Sequence, residues 1–545
     1  MIAGLEIAEV TRLATGQVTL AAAIALVCAA AGAGMLHHLN RRGTFALVPG
    51  ALAAPLAPWS ALAGSILVAS VLCFGLREYW RLEDIKKGQD KSRRARQAVG
   101  LWQWAGNLRD RRRLRQGRLR KRDAYAIGEG QAGETVWAPL GFDQGRHSLV
   151  IGATGAGKTT TLLAAAQAHL EAGCGLIAID AKGDPELVER FGLLAETAGR
   201  AFHSFSLTSD SDHWNPLARG GPSENADKLI AAEEWTEPHY QRLYQRYLLT
   251  VFTALRGQGA TPDLPAVVEL LDPGRLAMFA RDLSDGTAAA HVDRHLSELG
   301  DRETRDLAGL RNRLALLTEG EHGHLLAAGG NPGREIDLLT AIGEGQVVAF
   351  SLNTFRYPET AKLLGAALFQ DLKGVAGILE SERHRGRPVA VIVDEFGAFG
   401  ADHIVGLFQR GRSARLSLML ATQELADLRR IDPAFQDQVL GNVESIIAHR
   451  QNVPDSAELV CQIAGTRDTW IHTFQTDGHG PLVGRAEAIR GTRHRAHEFL
   501  VAPDSVKQLD AGEAVVITKN PHTVHIAQIR PARMARVTTA SKERS

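Results

Sequence analysis

HSLVIGATGAGKTTTLLAAAQAHLEAG, residues 147–173, decides the reading of this chain. The run from His147 to Ile151 is short and apolar, as a buried strand requires, and a glycine-rich turn follows at once. Good helix formers then continue to Gly173, a residue suited to a helix end. Gly152, Gly157, Lys158 and Thr159 fit G-x-x-x-x-G-K-[ST] without a mismatch. Glycines let the backbone wrap phosphate oxygens with its N–H groups, and the helix that follows adds its positive end. Gly152, Ala153, Thr154, Gly155, Ala156, Gly157, Lys158, Thr159 and Thr160 are therefore the expected cradle for a nucleoside triphosphate, read as ATP. Lys158 is expected to reach the β- and γ-phosphates and the Thr159 hydroxyl to ligate Mg²⁺.

A phosphate loop needs an acidic partner, and PVAVIVDEFGAFG, residues 388–400, supplies one. Five apolar residues lead to Asp394 and Glu395, the pattern of a strand buried on both faces of a parallel sheet. Asp394 at its carboxyl end is expected to hold Mg²⁺ and Glu395 to polarise the attacking water. A third strand, Leu416–Ala421, ends at Thr422 and Gln423, whose amide is placed to sense the γ-phosphate. The fold class that follows is α/β with a mostly parallel sheet.

A chain of 545 residues has room for two or three domains. With 45% hydrophobic and 23% charged residues it is too apolar for a disordered protein, and four scattered cysteines exclude a disulfide scaffold. The net charge of +1 hides an asymmetry: residues 77–122 carry 17 Lys and Arg against 5 Asp and Glu, which leaves the bulk mildly acidic. A generally basic DNA-coating protein is thereby excluded. Two apolar runs, 18–36 and 59–76, each approach the ~20 residues a spanning helix needs. Pro49, Pro55 and Pro58 break the chain between them. A transmembrane hairpin over residues 1–80 is expected, with the basic side and both ends cytoplasmic. The basic segment 81–122 suits anionic lipid or nucleic acid phosphates.

GATGAGKT, IDAKGD (179–184), HWNPL (213–217), VDEFGAF and ATQ together resemble, in order, the landmarks of type IV secretion coupling proteins, the TraG/TraD group related to FtsK and HerA translocases. The resemblance spans roughly residues 125–530. It implies a RecA-like P-loop ATPase, an inner-membrane hairpin, and a homohexamer around a channel. It also implies an all-α domain inserted between two parts of the nucleotide-binding domain. Here that organisation gives 123–221 and 331–530 as the two parts, 222–330 as the insertion and 531–545 as a polar tail. The implied partners are DNA, a relaxase within its relaxosome, and the channel components. The family's trans arginine finger falls on Gly411-Arg412, with Arg410, Arg415 and Arg450 as other candidates. A guanidinium reaching across a subunit boundary would stabilise charge on the transferring phosphoryl group. Two rival readings keep the same motifs: an FtsK/HerA-like translocase without a secretion channel, and a nucleotide-gated substrate receptor with little turnover. No LSGGQ or NKxD sequence is present, against an ABC transporter or a GTPase.

Two further features admit two readings each. Lys182 and Asp184 either face a channel or the next subunit, or form a plain loop. Tyr240, Tyr244 and Tyr247 share a helical face, where core packing outweighs base stacking.

Overall fold

The computed structural model describes residues 71–74, 110, 120–121, 123–131, 133–208, 211–231, 235, 237–330, 332–381, 387–474 and 491–534. Two compact units divide the chain: Met1–Gln116 with Gln131–Glu134, and Gly117–Gly130 with Thr135–Ser545. The expected hairpin lies almost wholly outside the described residues, as does most of the basic segment. Among the described residues no helix is long and apolar enough to cross a membrane.

The second unit is built on one sheet. Its longer strands are β1 (Ala124–Gly130), β2 (Thr135–Pro139), β3 (Ser148–Ile151), β4 (Gly175–Asp180), β5 (Phe202–Ser206) and β6 (Val347–Ser351). They continue with β7 (Val389–Asp394), β8 (Leu416–Thr422), β9 (Ser445–Ala448), β10 (Glu513–Lys519) and β11 (His522–Ile529). The order runs from Arg120–Lys121 through β1-β11-β10-β9-β3-β8-β7-β4-β6-β5, with β2 on β1. From β9 to β5 every pairing is parallel, and β9–β10, β10–β11, β11–β1 and β1–β2 are antiparallel. Parallel strands need crossovers, and the apolar residues of β3, β4, β7 and β8 are buried on both faces, as the continuous apolar runs predict.

Alternation sorts these side chains into two layers. Val150, Leu176, Ala178, Ala390, Ile392, Met419 and Ala421 join one core with Leu162 and Leu163 of α1 (Lys158–Glu171) and Leu187 and Phe191 of α2 (Pro185–Thr197). Leu149, Ile151, Ile177, Ile179, Val391, Val393, Leu418 and Leu420 join the other.

Residues between β5 and β6 are mostly helical: α3 (Pro222–Ala231), α4 (Pro238–Gly257), α5 (Leu264–Leu270), α6 (Pro273–Arg281), α7 (Gly286–Glu298) and α8 (Asp301–Thr318). Local chemistry starts α5, α6 and α7, where Asp263, Asp272 and Asp285 accept backbone N–H groups of the first turn, with proline inside α5 and α6. Tyr247 is fully buried and donates to Leu270 O, and Tyr244 donates to Asp306 O; these two tyrosines are core residues. Lys228 of α3 is 3% exposed and ties this helical segment to α9 (Pro358–Ser381), donating to Asp371 Oδ1 at 2.9 Å and to two backbone carbonyls.

Candidate nucleotide site

Register aligns the carboxyl ends of the parallel strands. Asp394 stands level with Ala421 and Asp180, Thr422 and Ala448 with Ile151, and Asp180 with Ser351. The turns leaving β3, β4, β6, β7, β8 and β9 therefore share one edge, where open α/β sheets bind ligands.

The phosphate loop is fixed from behind. Gly152 N–H donates to the Thr422 and Gln423 carbonyls, and Ala153 N–H to Arg450 O at 3.0 Å. His449, buried, donates from Nδ1 to Glu513 O at 2.8 Å and accepts the Thr161 hydroxyl at Nε2, also 2.8 Å. Both bonds are those of a neutral ring, and burial, with Lys158 nearby, lowers the His449 pKa to about 4. Gly512 N–H donates to Ala156 O, and a Cβ on Gly157 (φ +118°) would lie 3.0 Å from Gly512 Cα. Glycine is required there by conformation and by space.

α1 begins at Lys158 behind Gly157, and no side chain caps it. The first-turn amides have no partner within their own helix, so they are left to meet an anion. Lys158 is 7% exposed; its ammonium donates to Gly152 O at 2.6 Å and lies 3.7 Å from Glu395 Oε1. Burial pushes the Lys158 pKa down, against the opposing pull of Glu395. Thr159 and Thr160 are half-buried on the same turn. Thr154 and Gly155 are exposed, and the Thr154 hydroxyl donates to Gln423 Oε1 at 3.2 Å. Gln423 thus stands beside the loop.

Asp394 is 7% exposed, and burial raises its pKa while Lys182 and Lys158 oppose the rise. Glu395 adopts φ +51°, a left-handed conformation that costs a non-glycine residue on the order of 1 kcal/mol. The next residues hold it there. Phe396 and Phe399, at most 1% exposed, pack against Phe435 and Phe369 with ring centroids 5.9 and 5.6 Å apart. Burying each ring contributes about 2 kcal/mol, which outweighs the strain. The DEFGAF lettering is thus a carboxylate pair followed by two anchors.

Lys182 reaches the same acids. Its ammonium is 2.8 Å from Glu395 Oε1 and 3.9 Å from Asp394 Oδ2. Asp180 makes the turn that presents it, accepting the Lys182 N–H at 2.9 Å and the Asp184 N–H at 2.5 Å. Burial lifts the Asp180 pKa to about 6 despite those bonds. Lys182 was legible as a turn residue; its place against Glu395 was not. Asp184 caps α2, accepting Glu186 N–H, and that is its structural work.

Arg412 and Arg415 lie on the opposite edge. Arg412 is exposed and donates to Asn442 O at 3.2 Å, and Arg415 (φ +58°) donates to Phe142 O. β8 separates that edge from Gln423 by roughly 20 Å at ~3.3 Å per residue, so Arg412 does not meet the phosphate loop of its own chain. Arg410 is exposed near the end of the helix Ala401–Gly411, which leads to that same edge. Arg450 is on the loop's own side, through its carbonyl, with its Nε buried and unbonded.

Two family models match the chain: "TraM recognition site of TraD and TraG" over residues 388–511 and "Helicase HerA-like C-terminal" over 125–218. The first contains Asp394, Glu395 and Gln423, and the second the phosphate loop. No curated protein matches by sequence. Among solved structures, the unbound monoclinic form of the bacterial conjugative coupling protein TrwBdeltaN70 is similar at TM-score 0.55 and 14% identity, covering 76% of this chain and 90% of that one. The plasmid coupling protein TrwB in complex with ADP and Mg²⁺ is similar at TM-score 0.52 and 14% identity, over 76% and 91%. TrwB with a non-hydrolysable ATP analogue gives 0.53, 14%, 76% and 91%. At these identities the likeness shows a shared fold, a mixed α/β body with a mostly parallel central sheet. The two family matches thus fall on the two motif-bearing stretches, and the fold they lie in is the one shared with TrwB.

Proposed function

We propose that this chain is a membrane-anchored ATPase that assembles as a homohexamer and couples ATP hydrolysis to DNA transfer at a conjugation apparatus. One observation carries the reading: Lys158 and the Asp394–Glu395 pair, far apart in sequence, meet at one edge with ammonium and carboxylate 3.7 Å apart. The uncapped start of α1 and the acids beside it fit a nucleoside triphosphate with Mg²⁺; TrwB is seen with ADP and Mg²⁺ and, separately, with a non-hydrolysable ATP analogue. Lys158 and the amides of the loop and first turn from Thr154 to Thr160 that face outward would hold the phosphates, with Gly152 and Ala153 bracing the loop from behind. Thr159 and Asp394 would hold the metal, which supplies charge neutralisation on the phosphates. Glu395 orients the attacking water and takes up its proton. Gln423, beside Thr154, reports whether the γ-phosphate is present.

Arg412 supports a ring. It stands on the edge opposite its own site, so a catalytic role for it is one played in trans, on a neighbour's nucleotide. The N-terminal apolar runs would anchor each subunit in the inner membrane, and relaxase-bound DNA would be handed to the secretion channel.

Mg²⁺-dependent ATPase activity of the full chain, measured with single-stranded DNA, double-stranded DNA and no DNA, tests this. DNA-stimulated turnover abolished by Lys158→Ala is expected. A verified ring with no DNA stimulation would favour the receptor reading instead.

A further inference from the structure

We infer that Lys182 is a positioning residue of this site, the cation that holds the Glu395 carboxylate in place for catalysis. Its ammonium lies 2.8 Å from Glu395 Oε1, closer than Lys158 at 3.7 Å, and also faces Asp394 Oδ2 at 3.9 Å. Lys158 is committed to Gly152 O and to the phosphates it would meet. Glu395 therefore needs a second cation to fix its direction, and Lys182 is the group within hydrogen-bonding reach.

The turn carrying Lys182 is built for placement. Ala181 N–H donates to Asp394 O, and Ala181 O accepts both the amide (2.8 Å) and the hydroxyl (3.0 Å) of Thr354. Leu352 N–H donates to Asp180 O at 3.0 Å. Gly183 (φ +74°) presses on Asn353 (φ +48°); a Cβ on Gly183 would lie 2.4 Å from Asn353 Cβ. Asp180 closes the turn from within, through the Lys182 and Asp184 amides. A lysine needed only to balance charge would require no such framework, since charge acts over many ångströms. An ion pair 2.8 Å from one particular carboxylate oxygen requires an ammonium held in place.

This inference rests on the ATPase reading, and two readouts separate their failures. In the full chain, Lys182→Met is expected to lower kcat about 10- to 100-fold while KM and mant-ADP affinity stay within about three-fold, and Lys182→Arg to recover much of the rate. The second readout needs no turnover. Deleting a positive charge beside Asp394 is expected to tighten Mn²⁺ binding in the ADP complex several-fold, read from the free-Mn²⁺ EPR signal. A kcat unchanged in Lys182→Met overturns the inference. So does a loss of nucleotide affinity as large as the loss of rate, which would make Lys182 a phosphate ligand. Unchanged Mn²⁺ affinity overturns it too. Lys182→Gln carries the same measurements if Lys182→Met does not fold. Absence of hydrolysis in the parent chain would sink the motor and leave the Mn²⁺ result to decide on Lys182.

Discussion

Gly152→Ala is the perturbation whose consequence can be worked out most fully. A Cβ added at Gly152 would lie 2.6 Å from His449 Cβ and 3.5 Å from its Cα. Carbon atoms rest at about 3.5–4.0 Å, so something must move by about 1 Å. His449 cannot yield cheaply: it is fully buried, its N–H is bonded to Ile151 O, and its ring is held by Glu513 and Thr161. The phosphate loop must shift, breaking the Gly152 bonds to the Thr422 and Gln423 carbonyls. Overpacking of this kind costs about 1–3 kcal/mol of stability, and a 1 Å displacement of a reacting group about 100-fold in rate. The denaturant midpoint reads the loss of stability, and ATPase rate and mant-ADP affinity read the displacement of the loop. Gly152→Ala combined with His449→Ala should stay impaired, because alanine keeps the offending Cβ, whereas His449→Gly should recover part of the nucleotide affinity. Parent-like affinity and turnover in Gly152→Ala alone would refute the reasoning.

Other expectations follow from the same packing. His147 and His449 each have a pKa lowered to about 4 by burial, below the ordinary value of 6.5. Their stabilising contribution is therefore complete above pH 6.5 and is lost as pH falls toward 4, on the order of 3 kcal/mol for each. Chemical unfolding from pH 7 to 4.5 should show a shallower decline in His449→Gln than in the parent, and an identical slope would contradict the assignment. Asp371→Ala strands the Lys228 ammonium and should cost about 3–5 kcal/mol in a denaturation midpoint, with Lys228→Met/Asp371→Leu regaining most of it. Tyr244→Phe and Tyr247→Phe should each cost about 1 kcal/mol of stability and leave DNA affinity unchanged; a fall in DNA affinity would revive base stacking on that face.

The catalytic strands were legible in the sequence because their signals are local. An apolar run ending in Asp394-Glu395, or in a glycine-rich loop, carries its own meaning wherever it folds. The expected strand at Leu416–Ala421 recurs within a residue of each end, and the apolar run before Asp394 is the strand Val389–Asp394. What stayed hidden depends on pairings between distant stretches. His449 reads as an ordinary residue after a strand, yet it supports the phosphate loop because β9 happens to lie beside β3. Gly512 sits against Gly157 only through the antiparallel return of β10, and Lys182 meets Glu395 only because β4 neighbours β7 in register. The Tyr244 and Tyr247 face shows the converse: its periodicity was readable, and burial decided its meaning.

The most direct test of the account is a comparison of binding and hydrolysis in Glu395→Gln against the parent chain and Lys158→Ala. If Lys158, Asp394 and Glu395 build one site with divided labour, Glu395→Gln keeps nucleotide affinity within a few-fold and loses at least ~100-fold in hydrolysis, while Lys158→Ala loses binding itself. Hydrolysis at the parent rate in Glu395→Gln would contradict the assignment of the water-orienting base and the site built around it.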